Sequence, residues 1–259
     1  MKILRFIKFR MKSVLPANLF LRILIWKRGY PEPELRLIPY LCDKLKTSID
    51  VGASEGLYTA QMCLYSKRCI AFEPRLDAAK ELERLLSGLN PPIQVETVAL
   101  SNKAGIASLK IFPAEVGRST IEHENTIEKY GDIEMVSVPV KKLDDFEFTE
   151  EIGCIKIDVE GHEESVLLGA HDLLSFNHPI LLIEMEERHK PGTIKKVSAL
   201  LQKYSYNGFF YENGELEPIE LFENNTHQNI SNAEKKGKYI NNFIFVTLES
   251  MSRIQHLLR

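Results

Sequence analysis

The stretch Ser48 to Ala60, SIDVGASEGLYTA, sets an acid, Asp50, directly before a loop carrying Gly52, Ser54 and Gly56. Glycines at this spacing let a backbone turn sharply or approach a ligand closely. At the C-terminal end of a strand, such a loop is where open α/β sheets bind ligands. The pattern is neither the GxGxxG of dinucleotide sites nor the Lys-Ser/Thr loop that cradles phosphates. An adenosyl ligand without phosphates, carrying its own amino-acid charges, suits an acid followed by glycines better. A plain strand-to-helix turn would use the same residues.

Glu73 lies 23 residues after Asp50, where AFEP closes the neighbouring strand. A carboxylate there can accept hydrogen bonds from two ribose hydroxyls; a solvated acid capping the next helix is the alternative. The two features, in this order, describe the adenosine site of a Rossmann-like methyltransferase. A third cluster is IKIDVEGHEESVLLGA, Ile155 to Ala170. Lys156 and Asp158 flank an apolar residue in a buried strand, where charges are costly unless paired or used. Glu160 and His162 follow where strand becomes helix. Helix capping and solvation are the alternatives there.

These residues need elements to position them. TSIDVG, RCIAFEP, IQVETVALS, CIKIDV and PILLIEME read as strands, and LYTAQMCLYSK, LDAAKELERLLSGL, EESVLLGAHDLLS and GTIKKVSALLQKY as helices. The alternation predicts a mostly parallel sheet with helices on both faces. PEPELRLIPYLC predicts a short helix before the first strand. GIASLKIF and MVSVPVKKL are strand-like around a long polar connection, which is often functional. NGFFYE and NNFIFVTLE give strands near the C-terminus, the last expected to be antiparallel.

The chain has 259 residues and a formal charge of −3, so it lacks the basic excess of a nucleic-acid binder. No acid precedes Glu32, whereas Lys2, Arg5, Lys8, Arg10, Lys12, Arg22, Lys27 and Arg28 are basic. Residues 1–40 therefore read as a basic, amphipathic helical segment and 41–259 as the catalytic domain. The segment suits peripheral contact with an anionic membrane, or packing on the domain itself. Cys42, Cys63, Cys69 and Cys154 lack zinc-site spacing and suit a reducing compartment, so a cytoplasmic protein is expected. No apolar run is long enough to span a bilayer.

IDVGASEGLYT, FEPRLDAAKELERLL, VALSNKAGIASL, KIDVEGHEESVLLGA and PILLIEME, taken together, resemble the FkbM-type S-adenosylmethionine-dependent methyltransferases. The likeness runs from about Glu32 to Lys190; Ser54 stands where the family commonly has Asn. It implies a Rossmann-like class I methyltransferase fold and O-methylation of a hydroxyl on a sugar, glycan or related small molecule. Carried over by position, the loop from Asp50 to Gly56 would hold the methionine part of the cofactor and Glu73 its ribose. Ala99, Leu100 and Ser101 would lie beside adenine, and Asp158 would face the sulfonium and the acceptor.

A sugar hydroxyl is a poor nucleophile, so a base or a metal is useful. Asp158 is the central candidate, with Glu160 or His162 as proton acceptor or acceptor-positioning group. Glu184 ends the next strand and could face the same crevice, where it and Asp158 would be the pair to share a divalent cation such as magnesium. Arg118 and Ser119, with Thr120, lie in the long connection and are candidates for acceptor contact. Two other readings use the same residues. One is a non-catalytic, membrane-docked adapter with a methyltransferase-like fold. The other is an NAD-dependent oxidoreductase, against which the missing GxGxxG counts.

Overall fold

The computed structural model describes residues 32–87, 93–113, 117–232 and 239–258. The basic stretch before Glu32 lies outside them. A 3-10 turn, Pro33–Arg36, leads into helix α1 (Ile38–Leu41), and Leu35, Leu37, Ile38 and Leu41 are buried. The chain continues through β1 (Thr47–Val51), α2 (Leu57–Cys63), β2 (Arg68–Phe72), α3 (Leu76–Leu86) and β3 (Ile93–Glu96). β1 is buried along its whole length, which is why it reads as a nearly continuous apolar run. In α3, Ala79, Leu82, Leu85 and Leu86 recur at helical spacing and bury one face against Ile93 and Val95 of β3.

The segment from Ile93 to Ser101, predicted as one strand, is two. Val98 N–H bonds to Glu96 O at 3.0 Å, and the tight turn ends β3. Beyond it, β4 (Ala99–Leu100), β5 (Gly105–Ile111) and β6 (Glu134–Lys141) make a separate sheet in the order β4-β6-β5. The chain then returns to the main sheet with β7 (Ile152–Ile157), α4 (Glu163–Leu168), α5 (His171–Phe176), β8 (Ile180–Glu184) and α6 (Thr193–Gln202). It ends with β9 (Asn207–Glu212), β10 (Glu215–Pro218), α7 (Asn224–His227), β11 (Asn242–Val246) and α8 (Met251–Ile254).

The helix expected from Glu163 to Ser175 breaks into α4 and α5 at Gly169. A Cβ there would lie 2.1 Å from the carbonyl oxygen of Ser101, so the chain passes at backbone distance. Asp144 then caps α5, accepting from the N–H groups of Asp172 at 3.1 Å and Leu173 at 3.3 Å.

The main sheet runs β10-β9-β11-β8-β7-β1-β2-β3. β3, β2, β1, β7 and β8 are parallel, and β11 enters antiparallel between β8 and β9. This is the expected architecture, with β10 added as a hairpin partner of β9 that the sequence reading did not include. One face of the sheet carries Val51, Phe72, Ile157 and Ile183; the other carries Cys69, Cys154, Leu182 and Ile244. All four cysteines are buried and free. No helix among the described residues is long and apolar enough to cross a membrane. Strand order reverses between β1 and β7, so their C-terminal ends open a crevice of the kind that holds ligands.

Candidate functional site

An open cleft of about 530 Å³, including space continuous with solvent, lies at those strand ends. Its floor is the loop after β1. Gly52 has φ +81°, and a Cβ on it would stand 1.8 Å from the carbonyl oxygen of Asp158. Only glycine lets β1 and β7 converge this closely. The loop N–H groups of Gly52 and Ala53 donate to Phe72 O at 2.9 and 3.1 Å, which ties the loop to β2.

Glu73 projects from the end of β2. Its Oε2 accepts from Ser54 N–H at 2.9 Å, and its Oε1 accepts from Arg75 N–H at 3.0 Å and Arg75 Nε–H at 3.1 Å. Three donors fix the carboxylate, and further lone pairs remain for a ligand in the cleft. Ser54 adopts φ +47°, a strained conformation for a residue with a Cβ. Val98, Ala99, Leu100 and Leu109 form an apolar wall beside Glu73.

Asp158 leaves β7 at the centre, its side chain 33 % exposed. Behind it is Lys156, fully buried, with Nζ 3.7 Å from Asp158 Oδ2 and 4.9 Å from the centre of the Tyr58 ring. Burial works against the Lys156 charge, but the carboxylates of Asp158, Glu184, Glu32 and Asp50 outweigh it and hold the ammonium above the usual lysine range. The charged strand residues noted in the sequence are therefore paired with each other.

Gly52, Ser54, Glu73, Ala99, Leu100, Ser119, Asp158 and His162 line the cleft; Asp50, Gly56, Arg118, Glu160 and Glu184 do not. Asp50 is buried with its carboxylate accepting from Thr59 Oγ1 of α2, and burial pushes its pKa up to about 6. Strand alternation turns it toward α2, and its role there is to join strand to helix. Gly56 packs against Leu82 of α3. Arg118 stands between Gly117 and Ser119, which both line the cleft. Glu184 accepts from Asn241 Nδ2 at 2.7 Å, and burial, then the nearby Asp158, push its pKa well up. Among the described residues no group of three or more His, Cys, Asp or Glu is arranged to hold a metal ion. The Lys156 ammonium is the positive group beside Asp158, and the Glu184 carboxylate also acts on it.

The described part of the long connection from Gly117 on forms a roof on the cleft. Gly117, Ser119, Thr120 and Ile121 line it from above. Thr120 Oγ1 and Asn125 Nδ2 donate to the carbonyl oxygen of Glu160 at 2.9 and 2.8 Å. Glu160 is held at φ +55°, and Oε2 of its buried carboxyl lies 3.2 Å from His189 Nε2. Burial, then Asp158, raise the Glu160 pKa well above the usual carboxyl range, while burial lowers His189 to about 4. Both rings of contact around His162 are occupied. Nε2 is 2.8 Å from Ser101 Oγ, and Nδ1 is 3.2 Å from Glu122 Oε2. A carboxylate only accepts, so Nδ1 carries a hydrogen toward Glu122, while Nε2 shares a hydrogen bond with the Ser101 hydroxyl. Glu122 also accepts from Lys190 Nζ at 3.1 Å, and its hydrogen bond with His162 leads the contacts that hold it down to about 2.

Arg75, Glu122, His189 and Lys190 were absent from the sequence-based candidates. Arg75 had a signal, its place two residues after Glu73. The long connection was marked, but nothing local separates Glu122 from its acidic neighbours.

A family model described as the Methyltransferase FkbM domain matches residues 50–211. No curated protein matches in sequence. Among solved structures, a methyltransferase FkbM from Methylobacillus flagellatus KT is 16 % identical with a TM-score of 0.51, over 78 % of this chain. This chain spans 44 % of that protein's length. An O-methyltransferase from Bacillus cereus in complex with SAH is 10 % identical, with a TM-score of 0.47 over 92 % of this chain and 95 % of its own. An rRNA methylase from Streptococcus thermophilus is 13 % identical, with a TM-score of 0.47 over 83 % of this chain and 94 % of its own.

Proposed function

Since the chain belongs to the FkbM methyltransferase family, we propose that it methylates a hydroxyl oxygen of a sugar, glycan or related small molecule, with S-adenosylmethionine as donor. The observation that carries the cofactor assignment is the Glu73 carboxylate, fixed by Ser54 and Arg75 at the mouth of a cleft with an apolar wall. The residues fit the cofactor. Glu73 would hold the ribose, Ala99 and Leu100 the adenine, and the Gly52–Ser54 backbone the methionine end. When bound, the cofactor supplies an electrophilic methyl on sulfur, attacked in line by the acceptor oxygen.

The chain's own work is alignment, exclusion of water and removal of one proton. The roof from Gly117 to Ile121 shields the cleft. Asp158, central and partly open, accepts the hydrogen of the acceptor hydroxyl and holds its oxygen in place. Glu160 and Glu184 lie outside the cleft lining, held toward His189 and Asn241, and leave Asp158 as the carboxylate that meets the acceptor. Ser119 would contact the acceptor, with Arg118 next to it in sequence outside the lining. His162, held by Ser101 and Glu122, positions the roof against the turn after β7.

Calorimetric titration with S-adenosylmethionine and S-adenosylhomocysteine tests the reading, beside Glu73→Ala. Binding that the variant loses is the expected result and leads to an acceptor screen over sugars, with and without magnesium. A folded wild type that binds neither ligand would overturn it.

A further inference from the structure

Arg75 sits where an arginine is least expected. It is 6 % exposed and occupies the N-cap of α3. That position favours Ser, Thr, Asp or Asn, and the helix dipole there repels a cation. A buried charge in such a place needs strong compensation. Among the described residues, its guanidinium meets Glu73 through Nε alone. The Nη groups bond to none of them, and Arg75 lines the cleft. A largely buried arginine that lines the cleft thus has Nη donors not taken up by any described residue, beside the carboxylate assigned to the ribose.

We propose that Arg75 is a specificity-determining residue for the ribose of the nucleoside ligand, an inference that rests on the cofactor reading above. A hydroxyl both donates and accepts. Glu73 takes the hydrogen of one ribose hydroxyl, and the Arg75 Nη edge donates to the oxygen of that same hydroxyl. The pair brackets the group from both sides. A sugar lacking that hydroxyl leaves Glu73 and Arg75 paired through Nε but takes the shared partner from the remaining Glu73 lone pairs and from the Nη donors, a loss that polar sites discriminate against. The Glu73 carboxylate compensates the cation at the start of α3.

The test is calorimetric titration of the full chain with S-adenosylhomocysteine and its 2′-deoxy and 3′-deoxy analogues. Wild type, Arg75→Lys and Arg75→Met are compared, with thermal unfolding as the control for folding. Wild type should bind one deoxy analogue on the order of 100-fold more weakly than the parent. Arg75→Met should shrink that ratio by about 10-fold or more, mainly through weaker binding of the parent. Arg75→Lys, which keeps the charge beside Glu73 but loses the planar fork, should fall between. If both variants fold and weaken all three ligands by one common factor, Arg75 merely supports Glu73 and the inference fails. If wild type binds none of the ligands, the cofactor reading itself falls, and this inference with it.

Discussion

His189 Nε2 lies 3.2 Å from Glu160 Oε2, joining the turn after β7 to the loop after β8 inside the protein. Glu186, Arg188, Asp158 and Lys129 set the field around the histidine, but burial dominates and lowers it from 6.5 to about 4. A depressed histidine contributes stability that is present above pH 6.5 and lost as pH falls through 4. His189→Gln should remove that acid-side loss. Unfolding midpoints across pH 7 to 4 are expected to fall less steeply in the variant than in wild type; parallel curves would refute a histidine held neutral by burial.

Glu122 gives the opposite case on the roof. Its carboxylate is lowered from 4.5 to about 2, first by His162 and then by the Glu124 N–H and Lys190. Its contribution is present above pH 4.5 and lost as pH falls through 2. Glu122→Gln should cost at most about 3 kcal/mol at neutral pH, with the gap to wild type closing toward pH 2. Denaturant melts at pH 7, 4 and 3 check this, and a constant gap would count against an ionised Glu122.

Gly52 is the tightest point of the floor. Gly52→Ala would place a Cβ 1.8 Å from the Asp158 carbonyl at φ +81°. The strand ends must separate, so a stability loss of more than about 3 kcal/mol is expected, with cofactor affinity lost even where the fold survives. Calorimetry and thermal melts read both effects. Wild-type affinity in the variant would show that the loop does not shape the site.

Lys156→Met leaves Asp158, Glu184 and Asp50 without their buried counterion. Removing one partner of a buried ion cluster typically costs about 3–5 kcal/mol. The penalty should shrink as pH falls from 7 to 5, because Asp50 protonates near 6 and Glu184 is already raised by burial. A pH-independent difference in unfolding free energy would mean that none of the acids changes protonation between pH 7 and 5.

The sequence by itself determined the alternating strands and helices, and with them the crevice. Parallel strands share one C-terminal edge, so an acid ending each of β2, β7 and β8 must lie along it; Glu73 and Asp158 line the cleft there, while Glu184 bonds to Asn241. The buried charges of Lys156 and Asp158 were legible for a related reason, since an apolar strand tolerates a charge only with a partner. Local pattern could not decide which strand-end groups face the cleft. Asp50 and Glu73 both follow apolar runs, yet Asp50 turns to Thr59 under α2 while Glu73 reaches the ligand side. The contacts of Ser101, Glu122 and His162, and of Glu160 and His189, cross between segments that only the closed fold brings together. Those pairings depend on how the roof and the loop after β8 return over the sheet, and that path is set by long-range packing rather than residue spacing.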